Sequence, residues 1–239
     1  MRLHQLCDRD CRRADSTVFS IAKSREILHD RDRTVSLVPV NVGRHFKWVP
    51  HALRDPWSYD RKLPVALWRG VSTSECWELD SKLIVNRPEC ARRNLAVRWT
   101  LDNSTKIDVG ITDMVQLPPN AEINFRALVK SSMHIKQMLK YKYIISVEGN
   151  DVATNLKWAL ASNSVVLMPP PTRESFILEG LLQPWVHYVP LQHNMEDLIA
   201  KIDYCERNVS HCRQISKASL HVENYFTLEL RFTRSILRS

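Results

Sequence analysis

Apolar positions in this chain follow two rhythms. Short runs rich in β-branched and aromatic residues read as buried strands, and longer stretches with apolar residues every three or four positions read as helices. The clearest run covers residues 143–147 and is followed by four polar residues, Glu148, Gly149, Asn150 and Asp151. A helical pattern then covers 152–161, with Asn150 or Asp151 placed to cap its start and Ser162-Asn163 to end it. A second apolar run, 164–168, stops at Pro169, Pro170 and Pro171. This is a strand–helix–strand unit, and a right-handed crossover makes its two strands parallel neighbours.

The same rhythms predict strands at 18–22, 34–40, 63–68, 107–111 and 185–191. They predict helices at 75–96 (divided by Pro88), 121–139, 173–182 with Thr172 as cap, 194–207 and 211–232. Strands alternating with helices indicate an α/β fold built on a parallel sheet. No internal repeat or low-complexity tract interrupts the pattern.

In such a sheet a ligand sits beyond the carboxyl ends of the strands. The loops 148–151 and 169–175 belong to that rim. Gly149 allows close backbone approach, and the first amides of the following helix offer donors to an anion such as a diphosphate. Lys157 lies nearly two turns into that helix, either reaching back to the loop or resting as a solvated surface lysine. The strand at 63–68 runs into Arg69, Gly70, Ser72 and Thr73. A planar guanidinium, a glycine and hydroxyls form a candidate phosphate site, although an arginine ending a strand also serves commonly in an ion pair. Arg92, Arg93 and Arg98 follow, and one of them is a candidate to face the same rim. His187 and Tyr188 fall inside the 185–191 strand, where a packed core histidine competes with a catalytic one.

Composition narrows the partners. In 239 residues, 44% hydrophobic content is ample for a core, and a net charge of +8 suits an anionic partner. The basic residues are scattered apart from Arg9, Arg12, Arg13 and a tail with Arg231, Arg234 and Arg238, and no nucleic-acid module is present. With only five glycines there is neither GxGxxG nor GxxxxGK[ST], so the commonest phosphate cradles are absent. The six cysteines have no zinc spacing: Cys7-x3-Cys11 lacks a second pair. Cys205 and Cys212 form a local disulfide or, as the commoner case, stay buried thiols. The aromatic stretch 43–59 holds His45 and His51, with His29 upstream, but packing over a loop explains it better than a metal site. The first twenty residues are too charged for a signal peptide, and no run approaches the ~18–20 apolar residues of a membrane span.

The segment from Lys140 to Leu191, KYKYIISVEGND…NLKWALASNSVVLMP…ESFILEGLLQPWVHYVPL, resembles the signature of glycosyltransferase family 90. That family holds the lipopolysaccharide-A-type and capsule-associated sugar transferases (the CAP10 domain) and the Rumi-like protein O-glucosyltransferases; the likeness is closest to the first branch. The resemblance implies a GT-B-like fold with two Rossmann-like halves facing across a cleft. It implies a nucleotide-sugar donor, a UDP-sugar, as co-substrate, with no tightly bound cofactor or metal. The acceptor would be a glycan, lipid-linked or protein hydroxyl, with peripheral membrane contact open. Residues 63–239 would form the donor-binding domain, and 1–62 the remnant of an amino-terminal, acceptor-side half that looks truncated. The compartment would be the ER or Golgi lumen for a eukaryotic member, and the cytoplasm or a membrane face for a bacterial one.

Residue by residue, Arg69, Gly70, Ser72 and Thr73 match an Arg-Gly-x-x-x-Ser donor segment, and Glu174, Ser175 and Glu179 match an ESW-x-x-EG donor loop. Glu148, Gly149, Asn150, Asp151 and Lys157 complete the implied donor set. Asn155 stands where the Rumi-like branch has an arginine, which reads as a branch difference. Lys23-Ser24 resembles a strand-ending pair near the cleft. An inverting transfer also needs a carboxylate base; Asp8 and Asp10 lie upstream in roughly the family order, and Asp151 is an alternative on the donor side. Two other readings stay open: a non-catalytic nucleotide-sugar-binding remnant, and a basic α/β nucleic-acid-binding protein.

Overall fold

The computed structural model describes residues 46–74, 76, 86–116, 125–175 and 177–221, together with short strands at 18–20, 22–24 and 35–37. Asp8, Asp10, Cys7 and Cys11 lie outside these residues. The strands are β1 (Val18–Ser20), β2 (Ala22–Ser24) and β3 (Val35–Leu37), with β1 and β3 paired in parallel. After them come α1 (Val49–Ala52), β4 (Leu63–Val71), α2 (Ala91–Trp99), β5 (Ile107–Asp113), α3 (Ile135–Met138) and β6 (Tyr141–Ile145). The chain continues through α4 (Leu156–Leu160), β7 (Val165–Met168), β8 (Arg173–Ser175), β9 (Val189–Pro190) and α5 (Leu198–Arg207), and α6 covers 209–221.

Five strands form one sheet in the order β5-β4-β6-β7-β9, and every pairing is parallel. Numbered within the sheet, that is 2-1-3-4-5. The order reverses between β4 and β6, so the loops leaving these two neighbours diverge and open a crevice at the carboxyl rim.

Strict alternation feeds two cores. Ala66, Trp68, Tyr143, Ile145, Val165 and Leu167 pack on one face with Leu95, Trp99, Leu198 and Ile202 from α2 and α5. Leu67, Ile144, Val166 and Met168 pack on the other with Ile135, Leu139, Leu156 and Leu160 around α3 and α4. Each buried Val, Leu, Ile or Met among them stabilises the fold by roughly 1.5–3 kcal/mol. Phe46, Trp48 and Trp57 join the second core, in line with the packing role of the aromatic stretch.

Several predicted elements are shorter than their patterns. The helix expected at 152–161 is the single turn α4, because Asn155 donates to the Ile145 carbonyl (2.9 Å) and accepts from the Ser146 hydroxyl (3.1 Å), holding the chain open before Leu156. The stretch 121–139 is a 3₁₀ turn (Phe125–Leu128) and α3, not one helix: Val129 bridges Ile111, and the Lys130 amide donates to the Ile111 carbonyl (2.8 Å). The helix expected at 173–182 is β8, antiparallel to β2, followed by a 3₁₀ turn (Glu179–Leu181) entered through Leu178 at φ 54°. The strand at 185–191 shrinks to β9 after a turn in which Trp185 has φ 65°. Among the described residues no helix is long and apolar enough to cross a membrane.

The buried-thiol reading is overturned. Cys76 pairs with Cys90, and Cys205 with Cys212, because the turn at Asn208 folds α6 back onto the end of α5. Replacing both Cys205 and Cys212 by alanine is expected to lower the unfolding free energy by about 2 kcal/mol, the loss for opening so short a loop. Urea titration of the oxidised protein and the double variant measures it.

Candidate functional site

The two loops that leave β4 and β6 share the carboxyl rim, and a guanidinium lies between them. It belongs to Arg92, in the first turn of α2, not to Arg69. Arg92 Nη1 donates to the Val71 carbonyl (3.2 Å) and to the Thr73 hydroxyl, and Nη2 donates to the Val147 carbonyl (3.0 Å). Its Cζ lies 5.9 Å from the Trp68 ring centroid, and its Nε is buried without a hydrogen-bond partner. Burial lowers the Arg92 pKa to about 10 against the field of Glu148, so the group stays cationic at neutral pH. Gly149 is required here by space: a Cβ would stand 2.7 Å from Arg92 Nη1 and from Thr73 Oγ1. Arg98 instead pairs with Glu196 (3.7 Å).

Arg69 faces away because of strand parity. Trp68 enters the core that holds α2, so Arg69, like Leu67, points to the other face. There its Nη2 grips both Asp108 oxygens (2.8 and 2.9 Å), while Nη1 donates to the Trp68 and Asp108 carbonyls. Lys130 (3.1 Å) and the Tyr141 hydroxyl (3.2 Å) complete the cluster. Gly70 and Ser72 are structural too. A Cβ on Gly70 would meet the Trp68 ring at 2.7 Å, and the buried Ser72 hydroxyl exchanges bonds with the Val115 carbonyl (2.6 Å) and amide (2.7 Å).

Carboxylates lash the loops together. Glu148 accepts from the Thr172 amide (3.1 Å), the Thr172 hydroxyl (2.5 Å) and the Arg173 amide (3.1 Å), tying the loop after β6 to the loop after β7. Burial raises its pKa and outweighs those three donors. Glu179 accepts from the Ser175 amide (2.7 Å) and hydroxyl (2.8 Å), and Glu174 from the Gly180 amide (3.3 Å). Lys157 is neither solvated nor reaching back: it is fully buried, with Nζ 3.5 Å from Glu179. Asn150 donates to Gln116 (2.8 Å), and the Asp151 carboxylate accepts the Val152 amide (2.7 Å).

Beneath the crevice lies a cavity of about 20 Å³, lined by Ser146, Glu148, Glu179, His193 and the Pro169–Pro171 run. It is room for about one water, so a larger ligand would lie over its mouth. His193, in the loop after β9, had no signal in the sequence. Its carbonyl is anchored by Asn94 Nδ2 (2.9 Å), its Nδ1 is buried without a hydrogen-bond partner, and burial lowers its pKa. The backbone pairing of Lys23 with Glu174 sets β2 beside β8.

Residues 34–231 match a known sequence family, described as glycosyl transferase family 90. The chain belongs to that family. Over 187 residues, 77% of this chain, it is 55% identical to O-glucosyltransferase LpsA of Dichelobacter nodosus, covering 49% of that protein. Protein O-glucosyltransferase 3 of Homo sapiens is 29% identical over 122 residues, which is 51% of this chain and 23% of that protein. Uncharacterized protein 027R of Frog virus 3 (isolate Goorha) is 27% identical over 198 residues, 75% of this chain and 19% of that protein. This family 90 chain therefore spans about half the length of the first relative and less of the others.

Two outcomes follow from the geometry of this family 90 rim. Arg69→Ala is expected to lower stability by about 2 kcal/mol, below the range for fully buried pairs because Asp108 stays partly in water, and urea unfolding measures it. Glu148 has a folded-state pKa above its unfolded value, so its contribution is complete below the ordinary glutamate range and is lost as pH rises through the raised value. Urea unfolding across acidic and neutral pH should show that decline in the wild type and not in Glu148→Gln.

Proposed function

We propose that this chain is the donor-binding part of a glycosyltransferase. It moves a hexosyl unit, glucosyl by likeness to its relatives, from a nucleotide-sugar to a hydroxyl of a glycan, lipid-linked or protein acceptor. A UDP-sugar is the donor. The observation that carries this reading is the Arg92 guanidinium at the point where the strand order reverses, wedged between the carboxyl ends of β4 and β6.

Transfer requires the acceptor oxygen to attack the anomeric carbon while the nucleoside diphosphate departs. Negative charge grows on the leaving diphosphate, and a fixed cation in a partly dry site stabilises it without reorganising. Arg92 is held by three acceptors, so its orientation is set before substrate arrives. Its Nε–H has no partner among the described residues, and Nη2 spends one of its two hydrogens on Val147. Thr73 and the 148–150 backbone border the same crevice. His193, kept toward its neutral form by burial, brings a ring nitrogen to the cavity below. The carboxylates Glu148, Glu174 and Glu179 act in this reading by fixing the loops, since their oxygens are engaged with amides and hydroxyls.

Arg92→Ala is expected to weaken UDP binding by about tenfold or more, the loss of a charge-assisted contact, and to lower the rate of transfer from UDP-glucose further. Arg92→Lys should restore part of the affinity and less of the rate, because an ammonium lacks the planar fork. Wild-type affinity should fall as pH rises through about 10. Calorimetry with UDP, with circular dichroism as the folding control, is the measurement. A folded Arg92→Ala protein that binds UDP as the wild type does would end this assignment.

A further inference from the structure

The amino-terminal rim of the sheet carries a second concavity with a different chemistry. Asp55, in the segment after α1, accepts from Lys62 Nζ (2.6 Å) and from the Asn163 amide (3.0 Å), which fastens α1 beside the starts of β4 and β7. Asn163 Nδ2 also donates to the Trp57 carbonyl (3.1 Å), and the Trp57 amide donates to Asp55 (3.0 Å). The indole is thus set on a fixed backbone. Between this segment and α3 lies a cavity of about 480 Å³, within the span of about 300–1,000 Å³ that small-molecule sites occupy.

Its lining divides by chemistry. Trp57, Leu139, Pro50 and Pro56 give an apolar wall, and His51, Arg54 and Lys136 give nitrogen donors that are exposed to solvent. Among the described residues no carboxylate neutralises them. Asp55, the acid nearest in sequence, has a side chain only 1% exposed and spent on Lys62. Among the described residues neither Arg54 nor Lys136 has an ion-pair partner. Other surface cations do have acidic partners, as in Lys106 with Asp203 (2.5 Å) and Arg213 with Asp60 (2.7 Å). Here two unpaired cations face one concave space with an indole in its wall.

We propose that this groove binds an anionic saccharide, a sugar bearing a phosphate or carboxylate. Arg54 and Lys136 take the anionic group, with the guanidinium fork suited to two of its oxygens. The apolar C–H face of the sugar ring packs on Trp57 and the prolines, as amphipathic ligands do on aromatic walls. A concave site of this size favours a small ligand over a flat anionic surface, and two cations are too few for a nucleic-acid track. The site lies at the opposite rim from the Arg92 crevice and stands independently of the transfer reaction.

The probe is glucose 6-phosphate, titrated against the full chain by ligand-observed NMR, with glucose and inorganic phosphate in parallel and saturating UDP present. Glucose 6-phosphate should bind more tightly than either control, and equally well with or without UDP. Arg54→Ala with Lys136→Ala should weaken it by about tenfold or more, and Trp57→Leu should abolish the preference for the sugar phosphate over inorganic phosphate. Arg92→Ala should leave it unchanged, which separates this site from the donor crevice. The two cations are exposed, so their removal should leave the circular dichroism spectrum intact. Displacement by UDP, equal binding of inorganic phosphate, or undiminished binding to the double variant would each overturn the proposal. So would sedimentation with phosphatidylglycerol vesicles that depends on Arg54 and Lys136 in a chain that ignores glucose 6-phosphate, since the charges would then belong to a membrane surface.

Discussion

The rim depends on how the carbonyl groups beyond β4 and β6 find donors. Strands that end side by side and then diverge leave backbone oxygens with no partner strand, and burying such an oxygen unpaired is unfavourable by a few kcal/mol. Arg92 meets this need for Val71 and Val147 at once. A lysine could not, because only the planar fork presents separate donors to two carbonyls in fixed directions. Burial pulls its pKa down to about 10, yet leaves it charged under ordinary conditions. One side chain therefore closes the backbone and sets the electrostatics of the crevice.

Acids fasten the loops that flank this rim. Glu148, Glu174 and Glu179 each capture a backbone amide of the 172–180 segment. Those amides would have begun a helix, and their capture is why the segment forms β8 and a short 3₁₀ turn. The same capture removes them as anion donors. Lys157 and Glu179 form a buried pair behind the loop, an arrangement that is costly to break and fixes geometry more than it adds stability. The loop carboxylates are accordingly satisfied, while Arg92 Nε and, at the cavity, His193 Nδ1 have no partner among the described residues.

The sheet and its rim were legible in the sequence because apolar runs bounded by polar loops leave little choice about where strands end. The pairing of β6 with β7 and the shared rim of the two loops follow from that pattern, and both appear. The direction of Arg69 follows from the same pattern. Trp68 is apolar and enters one core, so period-two alternation already sends Arg69 to the opposite face, where Asp108 sits diagonally across β5. The role of Arg92 was not recoverable in the same way, since three arginines share one helical region and only the docking of α2 chooses among them. His193 gave no local signal at all; its place depends on Asn94 holding a carbonyl 99 residues away.

The two rims of this sheet handle positive charge in opposite ways, and the difference bears on what each can bind. At the carboxyl rim the cation is locked by carbonyls and a hydroxyl, so a ligand meets a preset field and little side-chain entropy is lost on binding. At the amino rim Asp55 is withdrawn into a latch with Lys62, and Arg54 and Lys136 stand exposed around an open space. Binding there must order two long side chains, which lowers affinity, while their lack of acidic partners spares the cost of breaking an existing pair. The cation at the carboxyl rim is thus held in a fixed direction by backbone, whereas Arg54 and Lys136 at the amino rim stand exposed.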